Sequence, residues 1–158
     1  MLYLDITGKA SRRRCKDIIE WFKAKYLPNH HLDITVAHRG LKREGAQGFC
    51  TVMDCDHRPR EFLIEMETTL KNDDYISTLF HELWHVYQHV SGSLRDKRGV
   101  RHWKNVNADD LDYADQPWEH EAVEMEMKLY NSYLGLGPES HGKGTSFPNR
   151  LTNSQISL

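Results

Sequence analysis

The sequence predicts an α+β domain, on three observations. Residues 11 to 27 carry apolar groups at helical spacing, three β-rich segments follow between residues 32 and 67, and an apolar run of helical period then continues to Val90. At 158 residues the chain has the length of one ordinary domain with one core.

In SRRRCKDIIEWFKAKYL, residues Cys15, Ile18, Ile19, Phe22 and Tyr26 share one stripe, and Pro28 stops the helix. LDITVAHR (32–39), GFCTVMD (48–54) and REFLIEME (60–67) read as strands separated by turn material containing Gly40, Gly45 and Pro59. They predict a small sheet of three strands or slightly more, largely antiparallel or mixed. Asn72, Asp73 and Asp74 offer an N-cap and an acidic first turn for a helix over 73–91, which Ser91 and Gly92 end. From Gly92 to Asp115 the chain is polar and long for a connection, which predicts a functional loop or poorly ordered chain. Residues 117–134, PWEHEAVEMEMKLYNSYL, read as a last helix, with Pro117 suited to its first turn and Gly135, Gly137 and Pro138 closing it. The expected organisation is one domain over 1–136 and an extended surface tail over 137–158.

Composition narrows the function classes. A formal charge of -2 supplies no field that would draw the chain onto nucleic acid or an anionic membrane. No run approaches the roughly 20 apolar residues of a membrane span, and MLYLDITGKASRRR puts its basic cluster after a short apolar segment, the reverse of a signal peptide. Three cysteines, Cys15, Cys50 and Cys55, fit free thiols in a reducing compartment better than a disulfide framework. The expectation is a cytoplasmic protein. Cys50, Cys55 and His57 have the residue types of a second metal cluster, but the five-residue cysteine spacing argues against it.

The motif that carries chemistry is HELWH, His81 to His85. In a chain with ten histidines an accidental HExxH is expected roughly 0.04 times, so its position inside a helix preceded by three strands is what makes it informative. Ile76, Leu79, Phe80, Leu83, Val86, Tyr87 and Val90 form one apolar arc, the expected core face. His81 and His85 project to the other side, toward a cleft or solvent, and stack one turn apart, as a helical pair must to share a tetrahedral zinc. Glu82 lies about 100° round the helix, suited to accept a proton from water rather than to ligate. His89 points away and is expected at the surface.

A catalytic zinc takes three protein ligands and keeps one position for water or substrate. The third could come from His102 in VRHWKN or from PWEHEA, with Glu119, His120 and Glu121. The apolar face of the last helix runs through Trp118, Ala122, Met125, Leu129 and Tyr133, which puts His120 opposite it and leaves Glu119 and Glu121 flanking it equally.

HELWHVYQHVSGSL, then HW, then YADQPWEHEA resembles a family of small phage and bacterial zinc-metallopeptidase-like proteins with the pattern HExxHVxQ and YxxxPWExEA, within the zincins that use glutamate as third ligand. The likeness covers about residues 75 to 130. It implies a zincin-like fold and a Zn²⁺ site of His81, His85 and Glu119, the last because a small residue, Ala122, follows it three positions later. It also implies Glu82 as general base in peptide-bond hydrolysis. Glu121 stays the alternative ligand. Val123 stands where relatives often carry an orienting Asp or Asn, so the histidines need other partners. A more distant likeness is to SprT-like proteases, whose third ligand is a histidine in a loop that GVRHW (99–103) matches poorly; His102 is the counterpart.

Three residues in or beside the connection, Tyr113, His102 and Arg101, are candidate donors to a developing oxyanion, each with an ordinary reading as a solvated loop residue. The expected partner is a peptide or protein substrate, met in the host cytoplasm if the chain is phage-encoded. Two alternatives stand beside this reading. One is a non-catalytic module with a closed structural zinc. The other is a nucleic-acid-associated protease using Arg12, Arg13, Arg14 and the Arg95–Arg101 cluster, which the charge balance disfavours. The sequence leaves the oligomeric state open.

Overall fold

A computed structural model describes residues 1–54 and 57–137, which form three α-helices and two β-sheets, a mixed α+β architecture. The first sheet begins with a strand the sequence reading did not assign, β1 (Leu2–Thr7), followed by α1 (Arg12–Tyr26), β2 (Leu32–Arg39), β3 (Gly48–Val52) and β4 (Glu61–Glu67). Its order is β1-β2-β4-β3. β1, β2 and β4 run parallel and β3 pairs antiparallel with β4, so the sheet is mixed but mainly parallel. The parallel pairing of β1 with β2 follows from α1, which supplies the crossover that parallel neighbours require.

Alternation decides which face of the sheet is covered. Leu32, Ile34, Val36, Phe62, Ile64 and Met66 are buried at every second position, while Asp33, Thr35, Leu63 and Glu65 between them stay partly or fully exposed. α1 contributes Cys15, Ile18, Ile19 and Phe22, and Ser11 caps it by accepting from the Arg14 N–H. Phe22, Phe62 and Phe80 are fully enclosed, and truncating such a ring to alanine costs about 3–5 kcal/mol, a large share of a domain's stability. Glu67 at the end of β4 ties the following turns together, accepting from the backbone N–H groups of Leu41, Lys42 and Thr69.

α2 (Asn72–Ser91) starts one residue earlier than its acidic turn suggested: Lys71 is the N-cap without a side-chain bond, and the Asn72 side chain accepts from Arg14 instead. Gly92 ends it at φ 81°. No helix is long and apolar enough to cross a membrane among the described residues.

The segment expected as a loop folds. β5 (Leu94–Lys97), β6 (Val100–Trp103) and β7 (Val106–Asn107) make an antiparallel sheet joined by the two-residue turns Arg98–Gly99 and Lys104–Asn105, all four residues at positive φ. The sheet is held to α3 (Pro117–Tyr133) by the Arg101 guanidinium over the Trp118 ring and by Trp103 against Trp118.

His81 and His85 do not face solvent; both are fully buried, because α3 covers the side of α2 opposite its apolar arc. His89 is buried too, its ring against Phe62, and burial, helped by His85 and Arg101, lowers its pKa to about 3. Of the expected tail, residues 138–158 lie outside the described residues.

Candidate metal centre

One turn of α2 brings His81 and His85 edge to face, with ring centroids 4.8 Å apart. α3 supplies the third group. Glu119 sits in its first turn, and helical spacing puts Glu119, Ala122 and Glu126 on the strip that lies against α2. Trp118 and Leu129, both buried, anchor the two ends of that contact.

The spacing of the three candidate ligands is quantitative. His81 Nε2 lies 3.2 Å from His85 Nε2 and 3.3 Å from Glu119 Oε2, and His85 Nε2 lies 3.3 Å from Glu119 Oε1. Bonds of about 2.0–2.1 Å meeting at a tetrahedral angle put ligand atoms about 3.3 Å apart. Among the described residues, His81, His85 and Glu119 are the trio of ligating side chains whose ligand atoms converge within 4.8 Å.

The outer nitrogens settle which ring atoms face inward. His81 Nδ1 lies 3.0 Å from Glu126 Oε2, an acceptor when ionised, so Nδ1 carries the proton. His85 Nδ1 lies 2.8 Å from Gln88 Oε1. The Gln88 amide is itself fixed, because its Nε2 donates to the Trp118 carbonyl and to Glu121 Oε2, both at 2.9 Å. Both histidines therefore turn Nε2 toward the same point, where a bound cation would take the place of the Nε2 proton of His81. Glu126 and Gln88 are the orienting partners that the sequence reading left unassigned. Helical spacing carried the signal: Glu126 lies seven residues after Glu119, and Gln88 three after His85.

The field at this point favours a cation. Burial works against a charge on His81, but hydrogen bonds to Glu119 and Glu126, with the charges of Glu82 and Glu119, outweigh it and raise its pKa to about 10. Burial also pushes Glu119 up, yet the charges and hydrogen bonds of His85 and His81 hold it well below the ordinary carboxylate range. These groups would stabilise a divalent ion held by the same atoms.

Glu82 is fully buried beside the trio, where β3 comes close to α2. That approach needs glycine at the start of β3: a Cβ on Gly48 would stand 2.7 Å from Glu82 Oε1 and 3.0 Å from its Cγ. Tyr113, in a 3-10 turn before α3, donates its hydroxyl to Glu119 Oε2 at 3.1 Å.

The other candidates are occupied elsewhere. Glu121 accepts from Trp84 Nε1 at 3.0 Å and from Gln88, so it supports the ligand shell and does not enter the trio. His102, on β6, has its Nδ1 2.9 Å from the Val100 carbonyl and is outside the trio; His120 is exposed, with Nε2 2.6 Å from the Ala114 carbonyl. Arg101 pairs with Asp96 and Arg14 with Asn72, so two cations named for phosphate contacts are engaged inside the chain. Cys50 is buried, and burial with the Glu82 and Glu119 charges pushes its thiol well above the ordinary value. The Cys50–Cys55–His57 grouping depends on Cys55, which lies outside the described residues.

No known protein family, curated protein or solved structure matches the chain.

Proposed function

We propose that the chain is a zinc-dependent metallopeptidase of zincin-like architecture, with His81, His85 and Glu119 as metal ligands and Glu82 as general base. The observation that carries this reading is the trio of 3.2–3.3 Å spacings, made by a carboxylate and two Nε2 atoms whose rings are held from outside the cluster by Glu126 and Gln88. Imidazole and carboxylate donors in this geometry suit Zn²⁺. The trio numbers three among the described residues, as in sites that leave a position for substrate, whereas structural zinc sites normally have four protein ligands.

Zinc bound there would supply a Lewis acid that polarises the scissile carbonyl and lowers the pKa of a water. The chain's own groups do the rest. Glu82 takes the proton of the attacking water and passes it to the leaving nitrogen, a role that its burial beside the trio fits. Tyr113, already donating to Glu119, is the best placed of the three candidate donors to stabilise negative charge on the carbonyl oxygen. β3 is the sheet edge next to Glu82 and pairs with β4 alone among the described residues, so an extended polypeptide can add along it with its backbone near the carboxylate.

Two outcomes test the reading. Purified protein should cleave an unfolded substrate such as casein, lose that activity to a chelator and regain it with added zinc; inactivity at full zinc loading would contradict it. Gln88→Ala and Glu126→Gln should each weaken zinc binding about 10- to 100-fold while leaving a folded protein, measured by competition with a chromophoric chelator. Unchanged affinity in both would remove the orienting role given to these residues.

A further inference from the structure

β1 is an edge of the main sheet: it pairs with β2 through all six of its residues and with no other strand among the described residues. Among the described residues no strand pairs with its outer row of backbone N–H and C=O groups. Proteins usually blunt such an edge with proline, lysine, a bulge or a covering element. LYLDIT has neither proline nor lysine, its register with β2 is unbroken, and Tyr3 stands 63% exposed on it.

Beside the edge runs a groove of about 420 Å³. Its floor is Leu2, Leu4 and Ile6, the alternate residues that β1 turns toward α1, and the first two of these are only half-buried. Arg12, Arg13 and Lys16 line the α1 side, with Glu20 one turn further along. Arg12 and Arg13 are exposed and have no carboxylate partner among the described residues. Asp5 lines the groove as well. One surface thus carries a strand edge, an apolar strip and charges of both signs, of which Lys16 and Glu20 form an exposed i,i+4 pair at 3.7 Å, weak enough to exchange partners. An acidic peptide would meet Asp5 and Glu20 as like charges, whereas a copy of the same surface can set its Glu20 end against the Arg12–Arg13 end.

We propose that this edge is a homodimer interface, β1 pairing antiparallel with the same strand of a second copy across a two-fold axis. Side-chain parity selects the register. Pairing even-numbered with even-numbered residues keeps Leu2, Leu4 and Ile6 of both copies on the α1 side, and a one-residue slip would send one set to the other face. Two such registers overlap five residues; one would oppose Asp5 to the partner's Asp5, and the other puts Leu4 on the axis, opposes Leu2 to the partner's Ile6, and opposes Tyr3 to the partner's Asp5. The two sheets become one, the two grooves merge, and the two α1 helices lie antiparallel, so the Arg12–Arg13 end of one faces the Glu20 end of the other. β3 forms the opposite edge of the sheet, so this interface leaves the candidate metal centre untouched.

A six-residue strand and one helix flank make a small interface, for which a dissociation constant on the order of 10 µM is expected. Sedimentation equilibrium on the full chain from about 1 to 200 µM should show the mass rise from 18.5 kDa toward twice that value. Arg12→Glu with Arg13→Glu, both at exposed positions, should weaken the dimer at least about tenfold, and adding Glu20→Arg should restore most of the loss. Amide hydrogen exchange at Tyr3 to Asp5 should slow as concentration rises. A mass fixed at the monomer value overturns the proposal. So does a dimer indifferent to these charge changes, or one whose Tyr3 to Asp5 amides exchange as fast as the monomer's.

Discussion

Glu119→Ala is expected to reduce bound zinc from about one per chain to near zero at micromolar metal, a larger loss than the 10- to 100-fold that orienting residues control. The substitution removes the carboxylate that reaches both imidazoles, at 3.3 Å from each Nε2, and among the described residues leaves a helical histidine pair of the trio. Tyr113 loses its acceptor in the same step. Atomic absorption after dialysis reads the result directly. Glu121→Ala and His102→Ala are the matched controls and should keep their zinc, because Glu121 is bonded to Trp84 and Gln88, and His102 lies outside the trio. Full stoichiometry in Glu119→Ala would remove this residue from the site and reopen the other two.

Glu82→Gln should separate metal binding from chemistry. The amide has the shape of the carboxylate but cannot take a proton, so zinc content should stay near one while kcat falls by about 10²- to 10⁴-fold. Gly48→Ala approaches the same group from β3. The added methyl would press on Glu82 Oε1 and Cγ, and because Glu82 is fully enclosed the carboxylate cannot simply swing into solvent. A fall in kcat of at least about tenfold with zinc retained is expected there, since positioning errors of 1 Å can cost 10²-fold. Wild-type turnover in Glu82→Gln, measured with zinc content matched, would show that another group serves as base.

The helices were legible because their signals are local and long. Pro28, Gly92 and Pro117 mark boundaries that the backbone respects, and the apolar stripe of α1 is the one it buries. β1 was not legible for the same reason inverted. Leu2, Leu4 and Ile6 do alternate with Tyr3, Asp5 and Thr7, but the segment is only six residues long and a parallel partner 30 residues away leaves no hairpin signature. The second sheet was hidden by polar strands of four, four and two residues; its clues were the turns at Arg98–Gly99 and Lys104–Asn105.

In the candidate site, HELWH could be read as a helical pair from its spacing alone. What covers the pair could not, because periodicity finds the apolar arc of α2 and says nothing of a second helix that presents carboxylates to the opposite face. Periodicity also left Glu119 and Glu121 equivalent. Packing separates them: Glu119 is 2% exposed and reaches both histidines, while Glu121 stays part-exposed and turns to Trp84 and Gln88.

X-ray absorption at the zinc edge, on protein loaded with one equivalent, reads the ligand set without relying on activity. The spectrum should show a shell of nitrogen and oxygen ligands alone, at about 2.0–2.1 Å, with the outer-ring scattering of two imidazoles. A sulfur ligand at about 2.3 Å, a count of imidazoles other than two, or failure to take up zinc would contradict it.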